Sequence, residues 1–422
     1  MTIVASQRFN IRYSVYAKTA GIYLTATVIS SFLNVLINPL LAMNLSPEDY
    51  ATIGYYTAYN TLFSPLMGFF LIDYFLKNRF VLSEEDLRRL KATVIKLFLY
   101  FSGFITLLCL AGLYIYITAA KVSIPFFPYA ILSLLSAYFA LLFAFKTAEL
   151  KIDRKAKAFF RLSVVQGVFN AGCALLLVVL IKWGAFGRLT ATLLVALGFF
   201  IYCLIDYRGL LKEKVNKELF VPIIKYSTPL VLAGMLGFFT TGFDKVLLER
   251  QNDLYSLGIY SVALQMSGYL NIFSTAVKTT FQPDAYEAIA QKNIRKLIKT
   301  IILNVGIISF LVLLFIVFCP LLIHLLTAGR YDASTGLSRI LALSVITSTI
   351  YYQISQATYG SGLSNITLIN KVIGSFLSAL LFVIMIPRYG AIGAAWSVVL
   401  SFVIYAIGNV ILLFINRNRF LK

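Results

Sequence analysis

The sequence predicts an all-α polytopic membrane protein, with twelve transmembrane helices in two parallel six-helix lobes around a central cavity. Three observations support this fold class: the composition, the spacing of long apolar segments and the distribution of basic residues. The chain is 60% hydrophobic and only 13% charged, which leaves too little polar surface to cover a water-soluble globule of 422 residues. A chain of this composition belongs in a lipid bilayer.

Twelve apolar segments are long enough to cross a hydrocarbon core, which takes about 20 helical residues. Each segment is predicted to form one transmembrane helix, and together they cover residues 19–43, 51–76, 92–119, 124–145, 158–181, 187–207, 223–243, 256–277, 300–326, 338–358, 368–386 and 391–415. The connections between them are too short to hold a folded domain. We therefore expect the function to lie inside the helix bundle.

Lysine and arginine residues alternate between the connections. Of the 37 basic residues, 29 lie in the two terminal segments, in the even-numbered connections or in the segment ends next to them, and eight lie in or next to the odd-numbered connections. Positive charge marks the cytoplasmic side, so we expect both termini in the cytoplasm and a multi-pass protein of the inner membrane. Because the basic residues lie in short connections next to the membrane, we interpret the net charge of +20 as a signal that orients the chain in the membrane and binds anionic lipid. The same distribution argues against nucleic-acid binding.

The two halves of the chain share a short repeat. The residues that match at an offset of 204 are Asp49 with Asp253, Gly54 with Gly258, and Tyr56 with Tyr260. An even number of crossings per half makes the halves parallel, related by an axis along the membrane normal. We expect an N-terminal six-helix lobe of residues 1–212 and a C-terminal six-helix lobe of residues 213–422.

Several classes of enzyme and cofactor site lack the residues they need. The four cysteines lie inside apolar segments without metal-ligand spacing, and the single histidine, His324, cannot build a multi-histidine metal site. No glycine-rich phosphate loop ending in Lys-Ser/Thr is present, which excludes an internal ATPase. We expect a protein that is not an enzyme and that uses no cofactor and no metal.

Polar residues inside apolar segments normally face the bundle or a wet cavity, because exposing them to hydrocarbon is costly. Asparagine amides favour cavity lining, whereas single hydroxyls more often join neighbouring helices. The candidates of this kind for substrate binding are Asn34, Asn38, Asn271, Tyr56 and Tyr260. For the tyrosines near the outer end of the second segment, an interfacial belt is the alternative to a platform for sugar rings.

Charged residues at the ends of the segments provide further candidates. The lysines near the cytoplasmic side that could bind an anionic substrate are Lys18, Lys225, Lys278 and Lys371. The alternative for each is an ammonium group that reaches into the lipid head groups. Asp73 and Asp244 are candidates for gating or ion coupling, and ordinary ion pairing is the alternative. The repeat offset places Asp73 near Lys278 in the other half, so these two charges could form a gate.

Three stretches carry a resemblance to a known family. They are residues 45–50 (LSPEDY) with 54–55 (GY) and 62–66 (LFSPL), residues 244–245 (DK) with 257–261 (LGIYS) and 281–283 (FQP), and residues 386–396 (IPRYGAIGAAW). With them the chain resembles the polysaccharide or oligosaccharide flippases of the O-antigen translocase type. Their superfamily also contains multidrug extruders and the peptidoglycan lipid flippase. One departure is the absence of the asparagines that such families often carry just before the Ile-Pro turn.

The resemblance implies a secondary transporter that moves an undecaprenyl-diphosphate-linked oligosaccharide from the inner to the outer leaflet. The repeat unit would be that of an O-antigen, an exopolysaccharide or a capsule. Its partners would be this lipid-linked oligosaccharide, the phospholipid bilayer, and a polysaccharide polymerase with a chain-length regulator. The alternative in the same superfamily is a cation-coupled multidrug or metabolite extruder, which needs a carboxylate at the centre of its cavity. A membrane polymerase or ligase would need long outer loops, which are absent here.

Overall fold

The computed structural model describes residues 25, 29, 32–291, 293–360 and 364–415. Throughout these residues the regular secondary structure is helical. The helices are α1 (Phe32–Asn44), α2 (Pro47–Gly68, continued by Leu71–Asn78), α3 (Glu84–Ala119), α4 (Tyr129–Ile152), α5 (Ala156–Leu180), α6 (Gly184–Asp206), α7 (Phe220–Thr241, continued by Phe243–Glu249), α8 (Leu254–Gly268, continued by Leu270–Ala290), α9 (Ile294–Thr327), α10 (Thr335–Gly360), α11 (364–389) and α12 (391–415). Each predicted segment corresponds to one of these helices, so the predicted fold class is confirmed.

Eight helical stretches among the described residues are long and apolar enough to cross a membrane. The last of them, Ile366–Ile415, contains both α11 and α12. The two helices meet at Gly390, whose φ of 54° and ψ of −134° form a backbone conformation that residues with a side chain rarely adopt. This is the short turn after Pro387 that the sequence predicts. α2 and α8 are not among these eight stretches. Both contain polar residues that are buried inside the bundle.

Matching residues of the repeat start α2 and α8. At α2, the Asp49 backbone N–H donates to Ser46 Oγ over 3.2 Å, and the Ser46 backbone N–H donates to Asp49 Oδ2 over 2.9 Å. At α8, Asp253 Oδ1 accepts from the backbone N–H of Ser256 over 2.9 Å. Helix starts leave N–H groups without helical partners, and these side chains supply acceptors. Asp49 and Asp253 therefore both fix where a central helix begins.

The bundle has two unlike ends. At the basic end, α2 leads to α3, α4 to α5, α6 to α7 and α8 to α9, through the connections rich in lysine and arginine. We call the other end the opposite end. At the basic end, Lys146 Nζ lies 2.7 Å from Asp206 Oδ2, and Glu149 accepts from both Lys91 and the Tyr207 hydroxyl. This network joins α3, α4 and α6 and fixes that end of the first half.

Helices α3 to α6 pack mainly on helices of the first half, and α9 to α12 pack mainly on helices of the second half. In the first half α4 contacts α2, α5 and α6, and in the second half α10 contacts α8, α9 and the α11–α12 pair. The principal contacts between the halves are made by α2, which packs against both α7 and α8. The surface between the halves therefore runs along α2.

Candidate functional site

α2 and α8 cross very closely at the opposite end. A Cβ atom at Gly258 would lie 2.0 Å from the carbonyl oxygen of Pro47, and a Cβ atom at Gly54 would lie 2.3 Å from Ser261 Oγ. Real Cβ atoms do not approach other atoms so closely. At Gly258 the neighbour is backbone, so the crossing requires glycine there, whereas at Gly54 a side chain would displace the Ser261 hydroxyl. Gly54 and Gly258 match in the repeat, so each half contributes one contact point.

Polar contacts from the second half hold the first half at the same end. After α9, Arg330 donates to the carbonyl oxygens of Ala42 and Met43, and the Tyr331 hydroxyl donates to Leu45 O over 2.7 Å. At the end of α7, Arg250 Nη1 donates to Ala120 O over 2.7 Å. Its neighbour Glu249 accepts through Oε1 from the Ser123 N–H, also over 2.7 Å. The connections after α7 and α9 thus bind those after α1 and α3. Together with the glycine crossing, these contacts close the opposite end.

A cavity of about 380 Å³ lies beside this crossing, between the two halves. Its polar lining residues are Asn34, Asn38, Tyr50, Thr57, Arg188, Lys245, Ser261 and Gln265. Arg188 and Lys245 are the charged side chains among them, and both are cations. Residues 32–44, 51–72, 189–205 and 254–277 of the surrounding helices contain no Asp, Glu, Lys or Arg. The cavity therefore combines two cations with amides and hydroxyls, which suits a ligand that is anionic and hydroxyl-rich.

Arg188 reaches the cavity from the second turn of α6. The start of that helix is fixed by Asp49, whose Oδ1 accepts from the Ala185 N–H over 2.7 Å. Arg188 Nη1 lies 3.4 Å from Asn170 Oδ1 on α5. A guanidinium group has five N–H donors, so this long contact leaves donors available for a ligand. α6 thus holds a fixed cation at the cavity wall.

Lys245 reaches the cavity from the second segment of α7, next to a buried carboxylate. Its Nζ lies 3.2 Å from Thr241 O and 3.5 Å from Asp244 Oδ1. The Tyr260 hydroxyl donates to Asp244 Oδ2 over 2.6 Å, and the Asp244 side chain is fully buried. The helix is interrupted at Gly242, and the backbone N–H of Lys245 donates to Gly242 O and not to Thr241 O as in a regular α-helix. The Thr241 carbonyl oxygen is therefore available to accept from the ammonium group of the Lys245 side chain.

Two amide side chains bridge the halves along the cavity wall. Gln265 Nε2 on α8 donates to Asn38 Oδ1 on α1 over 2.8 Å. Asn38 Nδ2 in turn donates to Leu326 O on α9 over 2.7 Å. Asn38 is 1% exposed, so both polar atoms of a buried amide have partners in the other half.

The structure distributes the amides and tyrosines predicted from the sequence over different environments. Asn34 and Asn38 lie on the cavity wall, whereas Asn271 is exposed on the second segment of α8. Tyr56 and Tyr260 are fully buried, and their hydroxyls donate to Pro125 O and Asp244. In this conformation the two tyrosines support helix packing and line no part of the cavity.

The predicted charged residues lie mostly away from the cavity. Lys225 and Asp73 are exposed, and Lys371 is half-buried on α11. Lys278 is half-buried, and its Nζ lies 5.0 Å from the ring centre of Tyr352. The ion pairs found among the described residues do not join Asp73 to Lys278. Lys18 lies outside the described residues.

Sequence reasoning did not identify Arg188, Lys245 or Gln265 as site residues. Arg188 and Lys245 stand at the edges of predicted apolar segments, where a basic residue is readily attributed to the neighbouring connection. The available signal was their position, since an ionisable residue within membrane depth is a functional candidate by default. Gln265 stood inside a predicted helix and carried the same signal as the asparagines.

A second concavity, of about 600 Å³, lies between α2, α3 and α7. It is lined mainly by apolar residues such as Phe63, Leu108 and Phe243. No charged residue lines it, so it offers nothing to a phosphate group. The candidate site is therefore the smaller, cationic cavity.

Comparison with known proteins assigns the family. A family profile described as "Polysaccharide biosynthesis protein" matches residues 40–335, which is more than half of the chain. The capsular polysaccharide biosynthesis protein CapF of Staphylococcus aureus is 22% identical over 265 residues, covering 59% of this chain and 66% of the relative. The match thus spans just under two thirds of that relative's length.

Solved structures of similar fold are transporters and flippases. The lipid II flippase MurJ, in an inward closed conformation, matches with a TM-score of 0.68 at 17% identity over 94% of this chain and 89% of that one. An inward-facing MATE-family multidrug resistance transporter of the MOP superfamily matches with a TM-score of 0.65 at 14% identity over 95% and 98%. The resemblance found in the sequence is confirmed. The chain belongs to the polysaccharide biosynthesis protein family and has the fold of the MOP-superfamily transporters.

Proposed function

We propose that the protein flips an undecaprenyl-diphosphate-linked oligosaccharide from the inner to the outer leaflet of the cytoplasmic membrane. The observation that carries this proposal is the cavity between the halves, with Arg188 and Lys245 in its wall. A diphosphate in hydrocarbon needs cations, and sugar hydroxyls need amide and hydroxyl partners. Asn34, Asn38 and Gln265 supply the amides. The name of the relative CapF, which refers to capsular polysaccharide, supports a substrate of the same class.

The two ends of the bundle give the proposed transport a direction. With the basic end in the cytoplasm, the closed opposite end faces outward, and this conformation is the one that receives substrate from inside. Opening of the α2–α8 crossing then releases the substrate to the outer leaflet, as expected for alternating access around a fixed site. The polyprenyl tail stays in the lipid, and no covalent chemistry is involved. A polysaccharide polymerase and its chain-length regulator would act on the flipped product.

The lysines of the basic end fit an entrance more than the binding site itself. Lys225, Lys278 and Lys371, with Lys18 and Asn271, would attract the diphosphate from the cytoplasmic leaflet.

Closure of this end could bring Asp73 to Lys278 as a gate. The test is the exchange of Asp73→Lys with Lys278→Asp. Transport restored in the double variant, when each single change abolishes it, supports the gate, and a double variant as inactive as the single ones rejects it.

The charge of the cavity favours an anionic substrate over the cationic drugs of a multidrug extruder. An extruder of cations needs a carboxylate open to its cavity. Asp244 is fully buried, and its carboxylate is already paired with the Lys245 ammonium group and hydrogen-bonded to the Tyr260 hydroxyl. It is therefore not open to a cationic drug. The transporter fold, with the short connections of this chain, also leaves no place for a polymerase active site.

The test is surface polysaccharide production in a strain that depends on this protein. Arg188→Met removes one cation. Lys245→Met is combined with Asp244→Asn, because loss of the lysine alone would leave the buried Asp244 carboxylate without its cation and with the Tyr260 hydroxyl as its remaining partner, at a cost of at most about 3–5 kcal/mol. We expect both variants to lose surface polysaccharide and to accumulate the lipid-linked intermediate at an unchanged protein level. Lys182→Met, which changes an exposed lysine outside the cavity, is the control. Normal polysaccharide in both cavity variants would reject the proposal.

A further inference from the structure

Lys245 has two anions available to it in the proposed transport cycle, Asp244 and the diphosphate of the substrate. We propose that Asp244 is a tethered counter-anion, which neutralises Lys245 during the substrate-free steps and yields it to the diphosphate when substrate enters. This inference rests on the proposed function. In this proposal Lys245 is paired with the diphosphate while the protein carries substrate outward, and with Asp244 while the empty protein returns.

The geometry of the pair suits an exchange of partners. Lys245 Nζ lies 3.5 Å from Asp244 Oδ1, longer than the roughly 2.7–2.9 Å of a tight charge-assisted hydrogen bond. The ammonium group has three donors, and one of them is directed to Thr241 O over 3.2 Å. Lys245 therefore has donor capacity left for a ligand in the cavity that it lines.

Tyr260 keeps Asp244 stable when the lysine leaves. Its hydroxyl donates to Oδ2 over 2.6 Å, on the carboxylate oxygen that Lys245 does not use. Departure of the ammonium group then costs Asp244 one partner and not both. The Tyr260 hydroxyl thus lowers the cost of handing Lys245 to the substrate.

The lysine stem also has room where it passes α2. The Lys245 stem passes α2 at Gly54, where a Cβ atom would lie 3.8 Å from Lys245 Cδ. With glycine at this position, α2 leaves room for the stem beside the cavity that Lys245 lines. The four-carbon stem of lysine can swing between two acceptors that an arginine would hold more rigidly.

The surroundings make Asp244 the natural partner of Lys245 during the return step. Residues 51–72, 226–243, 254–277, 372–387 and 391–415 contain no Asp, Glu, Lys or Arg. These residues belong to the helices that pack around the second segment of α7. The other buried carboxylate of that segment, Glu249, accepts from the Ser123 N–H, and among the described residues Lys245 forms its ion pair with Asp244 instead. An unpaired ammonium group buried there is costly, so a carrier without Asp244 cannot easily reorient after releasing its substrate.

Asp244→Asn should therefore change binding and turnover in opposite directions. The probe is citronellyl-diphospho-glucose, a soluble short-chain analogue whose diphosphate is esterified at both ends. We expect isothermal titration of the purified variant to show binding about tenfold tighter than wild type, equivalent to about 1.4 kcal/mol. Flipping in reconstituted vesicles should be lost, and Asp244→Glu should recover part of it. A residue with a merely structural role would weaken both properties together.

Tyr260→Phe provides a second test. Without the hydroxyl, Asp244 depends more on Lys245, so the probe should bind more weakly than to wild type. Asp332→Asn is the control, since this exposed carboxylate lies at the opposite end outside the cavity. Probe binding to Asp244→Asn that is equal to or weaker than wild type, or normal flipping by this variant, would overturn the proposal. If Arg188→Met and Asp244→Asn/Lys245→Met bind the probe as wild type does, the proposed function itself fails.

Discussion

At the scale of residues, a few buried polar side chains join the two halves beside the cavity. The Asn38 amide accepts from Gln265 on α8 and donates to a carbonyl of α9. Buried polar groups need such partners, so each bond favours the conformation in which it forms. The same side chains line the site where we expect the sugars to bind. Sugar hydroxyls would compete for these amides and so connect occupancy of the cavity to the packing of the halves.

Gln265→Leu tests this bridge by its effect on stability. The change leaves Asn38 Oδ1 buried without a donor, which costs about 1–3 kcal/mol. We expect a lower midpoint of thermal unfolding in detergent for Gln265→Leu and for Asn38→Leu. The double variant should lose less than the sum of the two, because the shared bond is lost only once. Gln291→Leu, at an exposed glutamine, is the control. Additive losses in the double variant would contradict the bridge.

The sequence alone indicated some residues of the cavity wall, namely those whose polar side chains stand out within an apolar helix. Asn34 and Asn38 drew attention as amides inside an apolar segment, and the structure places both on the cavity wall. Their role in binding substrate stays a prediction. Arg188 was missed because it is the second residue of the predicted segment 187–207, at an edge where a boundary read from hydropathy is uncertain by several residues. α6 begins at Gly184, so Arg188 lies one turn inside the helix and not in a connection.

At the scale of elements, α2 and α8 cross closely beside the cavity at the opposite end. Gly258 lies against the Pro47 carbonyl and Gly54 against Ser261. The sequence repeat identifies both glycines, but only the packing of the two helices gives the reason for them. A longer side chain at either position would separate the helices and open this end.

Gly258→Ala should hold the opposite end open. The added Cβ atom would lie 2.0 Å from Pro47 O, a backbone atom that cannot move away cheaply. The reporter is Leu45→Cys, in a background without the four native cysteines. Leu45 is 2% exposed, so its cysteine should resist a maleimide reagent in the parent protein and react when Gly258→Ala is added. Gly336→Ala is the control, because its Cβ atom would meet nothing within 4 Å. A cysteine at 45 that stays protected in Gly258→Ala would contradict the role of the crossing.

At the scale of the whole molecule, hydropathy and basic residues predicted the twelve helices well. Several helices extend beyond their apolar segments at the basic end, as in α3, which starts at Glu84, and α8, which reaches Ala290. Hydropathy registers only the part that suits hydrocarbon, whereas helices continue into the head-group layer. The cavity was not predictable in detail, because it depends on how α1, α2, α6, α7 and α8 meet across the two halves.

The orientation of the bundle is a separate prediction. The 29 basic residues at one side and eight at the other predict that both termini lie in the cytoplasm. A fluorescent protein that folds only inside should fluoresce when fused after Lys422. Alkaline phosphatase, active only outside, should be inactive there and active when inserted after Lys121. Phosphatase activity at the C-terminal fusion would contradict the predicted topology.

The most direct test of the central claim is transport by the purified protein. Vesicles would be prepared with the protein and an undecaprenyl-diphosphate-linked oligosaccharide, and the sugar accessible to an impermeant oxidant would be followed over time. We expect wild type to bring the inner-leaflet pool within reach of the oxidant. A variant with Arg188→Met, Asp244→Asn and Lys245→Met should expose only the outer-leaflet pool, as protein-free vesicles do. Exposure by wild type that does not exceed that of protein-free vesicles would contradict the flippase, and wild-type exposure by the triple variant would contradict the cavity as its site.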